Sequence, residues 1–434
     1  MNENVYITIG KELKQELSEK NAFRFCNDII VCLSKKDIKE AHYIISNCLE
    51  SNNITLRKDV FKNILDSGSE NYNIGLILQE LIQSDEYDSK DSNLKLGENL
   101  KNKLSKENRF YVSNELITYL LCEDKELIFY TMIKLLSNYN ITIPNQFIKK
   151  ILKNSIYNLN KQIGDIIQGL MQDNNYDAEN VYKDIGQKLK MKLSELDERE
   201  CFRISKTIIN ALSFGHIDFI FYTLMNYLSA CEIFIPADFV KKLLNARRSD
   251  LNNKISYIIQ ELLQNDNSIE NDRYETFLNN LKDKLSEEDC FKFSNDTIKF
   301  LSNNDKEGLF YTIVNYLAIY EIKAPKGFIE SLLKSSISDL NASLGIIIQK
   351  LIQDSKYNNV STIGEKLKKQ LNIKERKNLV SKIEYYISRN SRENVFYTII
   401  NYLSIYRIHI SNNLIKNILS GSMSEIESII TTIE

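Results

Sequence analysis

Apolar residues along this chain recur at three- and four-residue intervals rather than alternating, and one patterned block returns several times. In "VYKDIGQKLKMKLS", Ile185, Leu189 and Leu193 fall at i, i+4 and i+8, a single stripe of an amphipathic helix. "FRISKTIINALS" gathers Phe202, Ile204, Ile208, Ile209 and Leu212 into a second helix. A polar turn with Gly215 and His216 leads into "FYTLMNYLSACEIFIP", which is apolar on nearly all sides and reads as an inner helix. "IPADFVKKLLNA" predicts a short fourth helix with Pro236 near its first turn, where a missing N–H costs nothing. "DLNNKISYIIQELLQND" predicts a fifth.

This block recurs. "FYTMIKLLSNYNITIP" starts at 129, "FYTLMNYLSACEIFIP" at 221, "FYTIVNYLAIYEIKAP" at 310 and "FYTIINYLSIYRIHIS" at 396, with a degenerate "HYIISNCLESNNITLR" at 42. The chain's three prolines, Pro144, Pro236 and Pro325, share one position in it. Upstream stretches such as "IGKELKQELS" and "LGENLKNKLS", and downstream ones such as "LILQELIQSD" and "YIIQELLQND", return in phase. The division that follows is 1–91 (degenerate), 92–179, 180–272, 273–360 and a truncated 361–434, forming one continuous array with no room for a separate catalytic domain.

Each amphipathic unit has an apolar flank that a neighbouring unit must cover, so the expected fold is all-α, a right-handed α-solenoid of five multi-helix repeats of roughly 90 residues. Stacked multi-helix units of this kind resemble the HEAT and armadillo class of α-solenoids. The resemblance is one of architecture over the whole chain, with a period about twice the usual HEAT length. It implies an extended binding surface and carries over no functional residue.

Composition agrees with long helices and short turns: 434 residues contain only 13 Gly and 3 Pro. Lys plus Arg is 56 against 58 for Asp plus Glu, a formal charge of −2 that gives no reason to expect a polyanion partner. Charged residues interrupt every hydrophobic run before a bilayer-spanning length, and the start has neither a basic nor an apolar leader region. The expectation is a soluble, cytoplasmic chain with no membrane partner. The cysteines, Cys26, Cys32, Cys48, Cys122, Cys201, Cys231 and Cys290, are odd in number and lack CxxC spacing, so reduced thiols are expected, with neither a disulfide framework nor a structural zinc.

Candidate chemistry is sparse. There are three histidines, His42, His216 and His409, and no HExxH, GxxxxGK[ST] or GxSxG pattern, so no catalytic residue, cofactor or metal site is expected. Tyr43, Tyr130, Tyr222, Tyr311 and Tyr397 coincide between copies, as do Leu49, Leu136, Leu228, Leu317 and Leu403, and both sets read as repeat core. Glutamines spaced i and i+4, as at Gln79 and Gln83 or Gln260 and Gln264, fit either a ladder between units or a solvated face. Lys14, Lys101, Lys190, Lys282 and Lys368 share a first-helix position, and Lys62, Lys149, Lys241 and Lys416 a fourth-helix position that Glu330 breaks. They are candidate binding stripes for phosphates or an acidic protein, or stems covering apolar surface. The functional expectation is a non-catalytic scaffold or adaptor binding a protein or peptide, with a nucleic-acid-binding helical-repeat protein as the alternative. The apolar face of "SEIESIITTIE" is expected to lack a cover, which leaves self-association or a partner to supply one.

Overall fold

The computed structural model describes residues 4–54, 70–87, 90–176, 178–265, 273–357, 360–421 and 423–433. Lys62 lies outside the described residues. The fold is all-α: 79% of it is helical, with no strand among the described residues. In chain order the helices are α1 (Val5–Glu16), α2 (Glu19–Ser34), α3 (Ile38–Ser51), α4 (Glu70–Ile82), α5 (Ser92–Lys103), α6 (Lys106–Leu121), α7 (Lys125–Asn138), α8 (Phe147–Lys153) and α9 (Ile156–Met171). They continue as α10 (Val181–Leu196), α11 (Arg199–Phe214), α12 (Ile217–Ala230), α13 (Phe239–Leu244), α14 (Arg248–Leu263), α15 (Arg273–Lys284), α16 (Glu287–Ser302), α17 (Lys306–Ile319) and α18 (Phe328–Lys334). The rest are α19 (Ile337–Ile352), α20 (Val360–Gln370), α21 (Ile373–Ser388), α22 (Arg392–Ile405), α23 (Leu414–Ser420) and α24 (Ser424–Ile433).

Local chemistry sets many of these boundaries. Ser18, Ser105 and Ser286 cap α2, α6 and α16 by accepting from the amides of Asn21, Asn108 and Asp289. Asp37, Asp124 and Asp305 do the same for α3, α7 and α17. The turns between these pairs pass through the left-handed region at Lys36, Glu123 and Asn304, where most proteins would place glycine. Only Gly215 uses glycine at the corresponding turn between α11 and α12. The low glycine count thus reflects turns built on strained non-glycine residues as much as it reflects long helices.

The chain divides into two compact units, Met1–Glu179 with Ile217–Ala246, and Asn180–His216 with Arg247–Glu434. In the first, α4 packs on α1 and α2, and α9 on α5 and α6. Each trio then receives two helices from further along the chain: α7 lies on α2 and α8 on α4, while α12 lies on α6 and α13 on α9. In the second unit α14 packs on α10 and α11, and α19 on α15 and α16. There α17 and α18 dock on α11 and α14, and α22 and α23 on α16 and α19. The group that packs is therefore out of phase with the segment that recurs in sequence, which is why Ile217–Ala246 leaves its sequence neighbours and joins the first unit.

Hydrophobic burial drives this docking. Phe129, Phe221, Phe310 and Phe396 open the FYT blocks and are 0% exposed, each worth about 2–3 kcal/mol relative to an exposed ring. Close approach matters too: a Cβ built at Gly97 on α5 would lie 2.2 Å from the Ile166 carbonyl oxygen of α9. Against expectation, the apolar face of α24 is covered, with Ile426, Ile429 and Ile433 buried where the helix packs on α20, α21 and α23. Its own sequence copy supplies the cover. Among the described residues no helix is long and apolar enough to cross a membrane.

Candidate functional site

The glutamine pairs form latches between sequence copies. Gln168 on α9 donates from Nε2 to the Pro236 carbonyl (2.9 Å) and to Gln172 Oε1 (3.3 Å), and its Oε1 accepts the Val240 amide (2.8 Å). Gln79 repeats this with the Pro144 carbonyl (3.0 Å) and the Ile148 amide (2.8 Å). Gln260 does so with Pro325 (3.3 Å) and Ile329 (2.8 Å), and Gln349 with Ser411 (2.9 Å) and Ile415 (2.9 Å). Gln79, Gln168 and Gln260 are at most 3% exposed, so both ends of each amide are satisfied within the protein. Beside each glutamine the chain makes an isolated parallel bridge, Gln83 to Ile143, Gln172 to Ile235, Gln264 to Ala324 and Gln353 to Ile410.

These latches revise the role of the prolines. Pro236 stands ahead of α13, separated from its first residue by a turn, and its carbonyl is the group the latch uses. Ser411 can replace proline in the last copy because it offers the same carbonyl.

The first-helix lysines also belong to the latch. Lys14, Lys101, Lys190 and Lys282 donate from Nζ to the main-chain carbonyls of Gln83 (2.7 Å), Gln172 (2.5 Å), Gln264 (2.9 Å) and Gln353 (2.9 Å). Each cation sits just past the C-terminal end of a helix, where the macrodipole favours positive charge. Lys368 is exposed on α20, and Lys149, Lys241 and Lys416 are exposed on α8, α13 and α23. Lys241 lies near Asp165 on α9, whose carboxyl burial pushes up to about 6, with Lys241 and Lys161 partly opposing the shift.

The core leucines, Leu49, Leu136, Leu228, Leu317 and Leu403, are all at most 2% exposed. The tyrosines divide. Tyr130, Tyr222, Tyr311 and Tyr397 donate to the Oδ1 atoms of Asn71 (3.0 Å), Asn160 (2.6 Å), Asn252 (3.0 Å) and Asn341 (2.8 Å). Tyr43 is 62% exposed and is not core. The asparagine comes from the preceding sequence copy in each case, and Tyr43 lies in the first copy. The asparagines went unnoticed in the sequence, although they recur in phase with the glutamines.

The histidines do not converge: His216 stacks on Phe214, while His409 lies between the Ile352 carbonyl and Glu287 Oε1, 3.1 Å from each. His409 and Lys323 share a repeat position, and Lys323 likewise meets an acid, Glu198. The seven cysteines are free thiols, and burial pushes the Cys290 thiol up to about 11. Among the described residues no three His, Cys, Asp or Glu side chains are grouped to hold a metal ion.

A groove of about 470 Å³ opens in the first unit between α2, α6 and α7. Tyr111, Glu115 and Tyr119 follow one another at i, i+4 and i+8 along α6, so all three face it from one side. Tyr111 donates to Glu115 Oε1 at 3.0 Å, and the Tyr119 hydroxyl lies 3.5 Å from the same oxygen. The hydrogen bond to Glu115 and its charge push the Tyr111 phenol up; for Tyr119 burial leads and the Glu115 charge follows. Leu127, Tyr130 and Lys134 of α7 face it from the other side. Sequence periodicity gave no signal for this groove, because only one copy carries these residues. Comparison of the chain with family models, curated proteins and solved structures finds no match.

Proposed function

We propose that the chain is a non-catalytic scaffold or adaptor, a HEAT-like right-handed α-solenoid of five interlocked sequence copies that binds a protein or peptide on its helical surface. The observation that carries this reading is the fourfold recurrence of one inter-copy latch at Gln79, Gln168, Gln260 and Gln349. Conserving that junction within a chain while other surfaces diverge is how a repeat protein keeps a rigid frame and varies what it presents. The reading is strengthened by the first-helix lysines, which hold main-chain carbonyls and are not idle charges awaiting phosphate.

The test is capture of partners by the tagged chain from nuclease-treated extract, followed by reconstitution of the purified pair at physiological salt. A stoichiometric protein complex is expected. The nucleic-acid alternative predicts instead a random-sequence oligonucleotide bound with steep salt dependence, and lost on changing the exposed Lys149, Lys241 and Lys416 to Glu. That outcome would replace the scaffold reading.

A further inference from the structure

We propose that the groove between α2, α6 and α7 is a receptor for a cationic side chain, an arginine or lysine on an extended segment of a partner protein, with Glu115 as its counter-ion between Tyr111 and Tyr119. The inference deepens the scaffold reading and rests on it for the claim that the cation arrives on a protein.

Charge complementarity is the first argument. Both tyrosine hydroxyls approach Oε1 of Glu115, which leaves Oε2 for an incoming donor. Among the described residues no Lys or Arg forms an ion pair with Glu115, although it lines a groove of about 470 Å³, large enough for a side chain and its flanking backbone. The aromatic faces beside the carboxylate are the second argument. A guanidinium over a tyrosine ring gains cation–π attraction, and a neighbouring carboxylate adds a charge-assisted hydrogen bond. Tyr111 is 63% exposed and Leu127 39%, so the site presents apolar surface that a peptide stem would cover.

The third argument is internal to the chain. The positions of Tyr111, Glu115 and Tyr119 are occupied on α2 by Arg24, Asp28 and Cys32, and there Arg24 lies 4.0 Å from Asp28, supplying the acid with its own cation. On α11 they are Arg203, Thr207 and Ala211, with no acid. On α16 they are Lys292, Asp296 and Phe300, and Asp296 accepts from the Tyr316 hydroxyl at 3.4 Å. On α21 they are Asn378, Lys382 and Tyr386, again with no acid, so only on α6 does the acid stand between two aromatic rings with no cation of its own. Lys134 in the same groove disfavours a bare cation and favours a segment that also brings a carbonyl or carboxylate.

The experiment uses the full chain with 13C-labelled tyrosine rings and signals assigned through Tyr111→Phe and Tyr119→Phe. The probes are acetyl-Gly-Arg-Gly-amide and its citrulline counterpart, which keeps the shape and loses the charge. Saturable shifts of the Tyr111 and Tyr119 signals are expected with the arginine peptide, about tenfold weaker binding in Glu115→Gln, and no saturation with citrulline. Thermal unfolding of Glu115→Gln should match that of the parent, which separates a lost counter-ion from a lost fold. Equal affinity of parent and Glu115→Gln, equal binding of citrulline, or no saturation would each overturn the proposal. A negative peptide result beside an intact protein complex would remove the site and leave the scaffold reading. Arginine binding without any protein complex would do the reverse.

Discussion

The Gln168 latch and the Glu115 groove lie in the same compact unit, yet they obey opposite rules. At each of the four latches the chemistry is the same: a glutamine, a carbonyl, an amide and a lysine. At the groove the copies differ. At the end of α17, Tyr316 and the following cap residue Tyr320 stack at 6.0 Å, and Tyr316 meets Phe293 edge-on at 5.0 Å. At the end of α7 the corresponding residues are Leu135 and the cap residue Tyr139, and open space remains. A buried polar junction tolerates no substitution without orphaning its partners, whereas an exposed hollow can be filled, emptied or recharged at little cost to folding. Constancy between copies marks what holds the chain together, and departure from it marks where a ligand can be read.

The most severe way to test the contrast is to break a latch. Gln168→Leu leaves the Val240 amide buried without a partner and strips the Pro236 carbonyl of its side-chain donor, leaving it only the Phe239 amide, and the expected loss is about 1–3 kcal/mol, read from the urea midpoint. Gln260→Leu should cost a similar amount in the second unit, because it strands the Ile329 amide and leaves the Pro325 carbonyl only the Phe328 amide. A loss below about 0.5 kcal/mol in both would mean the latches are ornaments of the packing.

The tyrosines sharpen the comparison at a smaller scale. Tyr222→Phe removes a hydrogen bond to Asn160, which is 2% exposed, and should cost about 1–2 kcal/mol in thermal or urea unfolding. Tyr43→Phe, at the same repeat position but 62% exposed, should change stability by less than about 0.5 kcal/mol. Equal effects would show that the repeat position, and not the preceding copy's asparagine, decides the contribution.

This pair also marks the limit of what periodicity can convey. The stripe Ile185, Leu189 and Leu193 gave the helix and its buried face correctly, and all three are at most 2% exposed. Periodicity says which face is apolar but not which helix covers it. Hence the exposure of Tyr43 was not legible, since it follows from α7, α12, α17 and α22 each docking on the copy before their own. The glutamines were legible as a spacing, but their partners are main-chain groups some 65 residues away, and carbonyls leave no trace in composition. The groove was invisible for a different reason. Tyr111 and Glu115 fit no repeat pattern, so a search for recurrence passes over them.

Asp165 offers a pH-dependent version of the same test. It stands where Leu76, Tyr257 and Ile346 stand in other copies, so a carboxyl occupies a partly buried apolar position. Its folded-state pKa, raised to about 6 by burial, lies above the usual carboxylate value, so the folded chain binds the proton more tightly than the unfolded one. Below about pH 4 both states are protonated and the site costs nothing; as pH climbs through 6 stability is lost, and the loss is complete above about 7. With allowance for solvent screening the loss is about 1–2 kcal/mol. Asp165→Asn should therefore unfold later than the parent near neutral pH and together with it near pH 4, in urea titrations at each pH. A constant difference across the range would disprove the assignment.

The smallest effect on stability should carry the largest effect on recognition. Tyr111→Arg transplants onto α6 the arrangement of α2, where Arg24 lies 4.0 Å from Asp28. The new guanidinium sits one helical turn from Glu115 and neutralises it in place, so it competes with any incoming cation for the same carboxylate. Tyr111 is 63% exposed, so unfolding should shift by no more than about 0.5 kcal/mol. Affinity for the arginine peptide should nevertheless fall by about tenfold, because the counter-ion is already taken. If affinity held while Tyr111→Arg folded normally, neither the Tyr111 ring nor a free Glu115 carboxylate would be the attraction, and the groove would differ from the filled space around Tyr316 only in volume and not in charge.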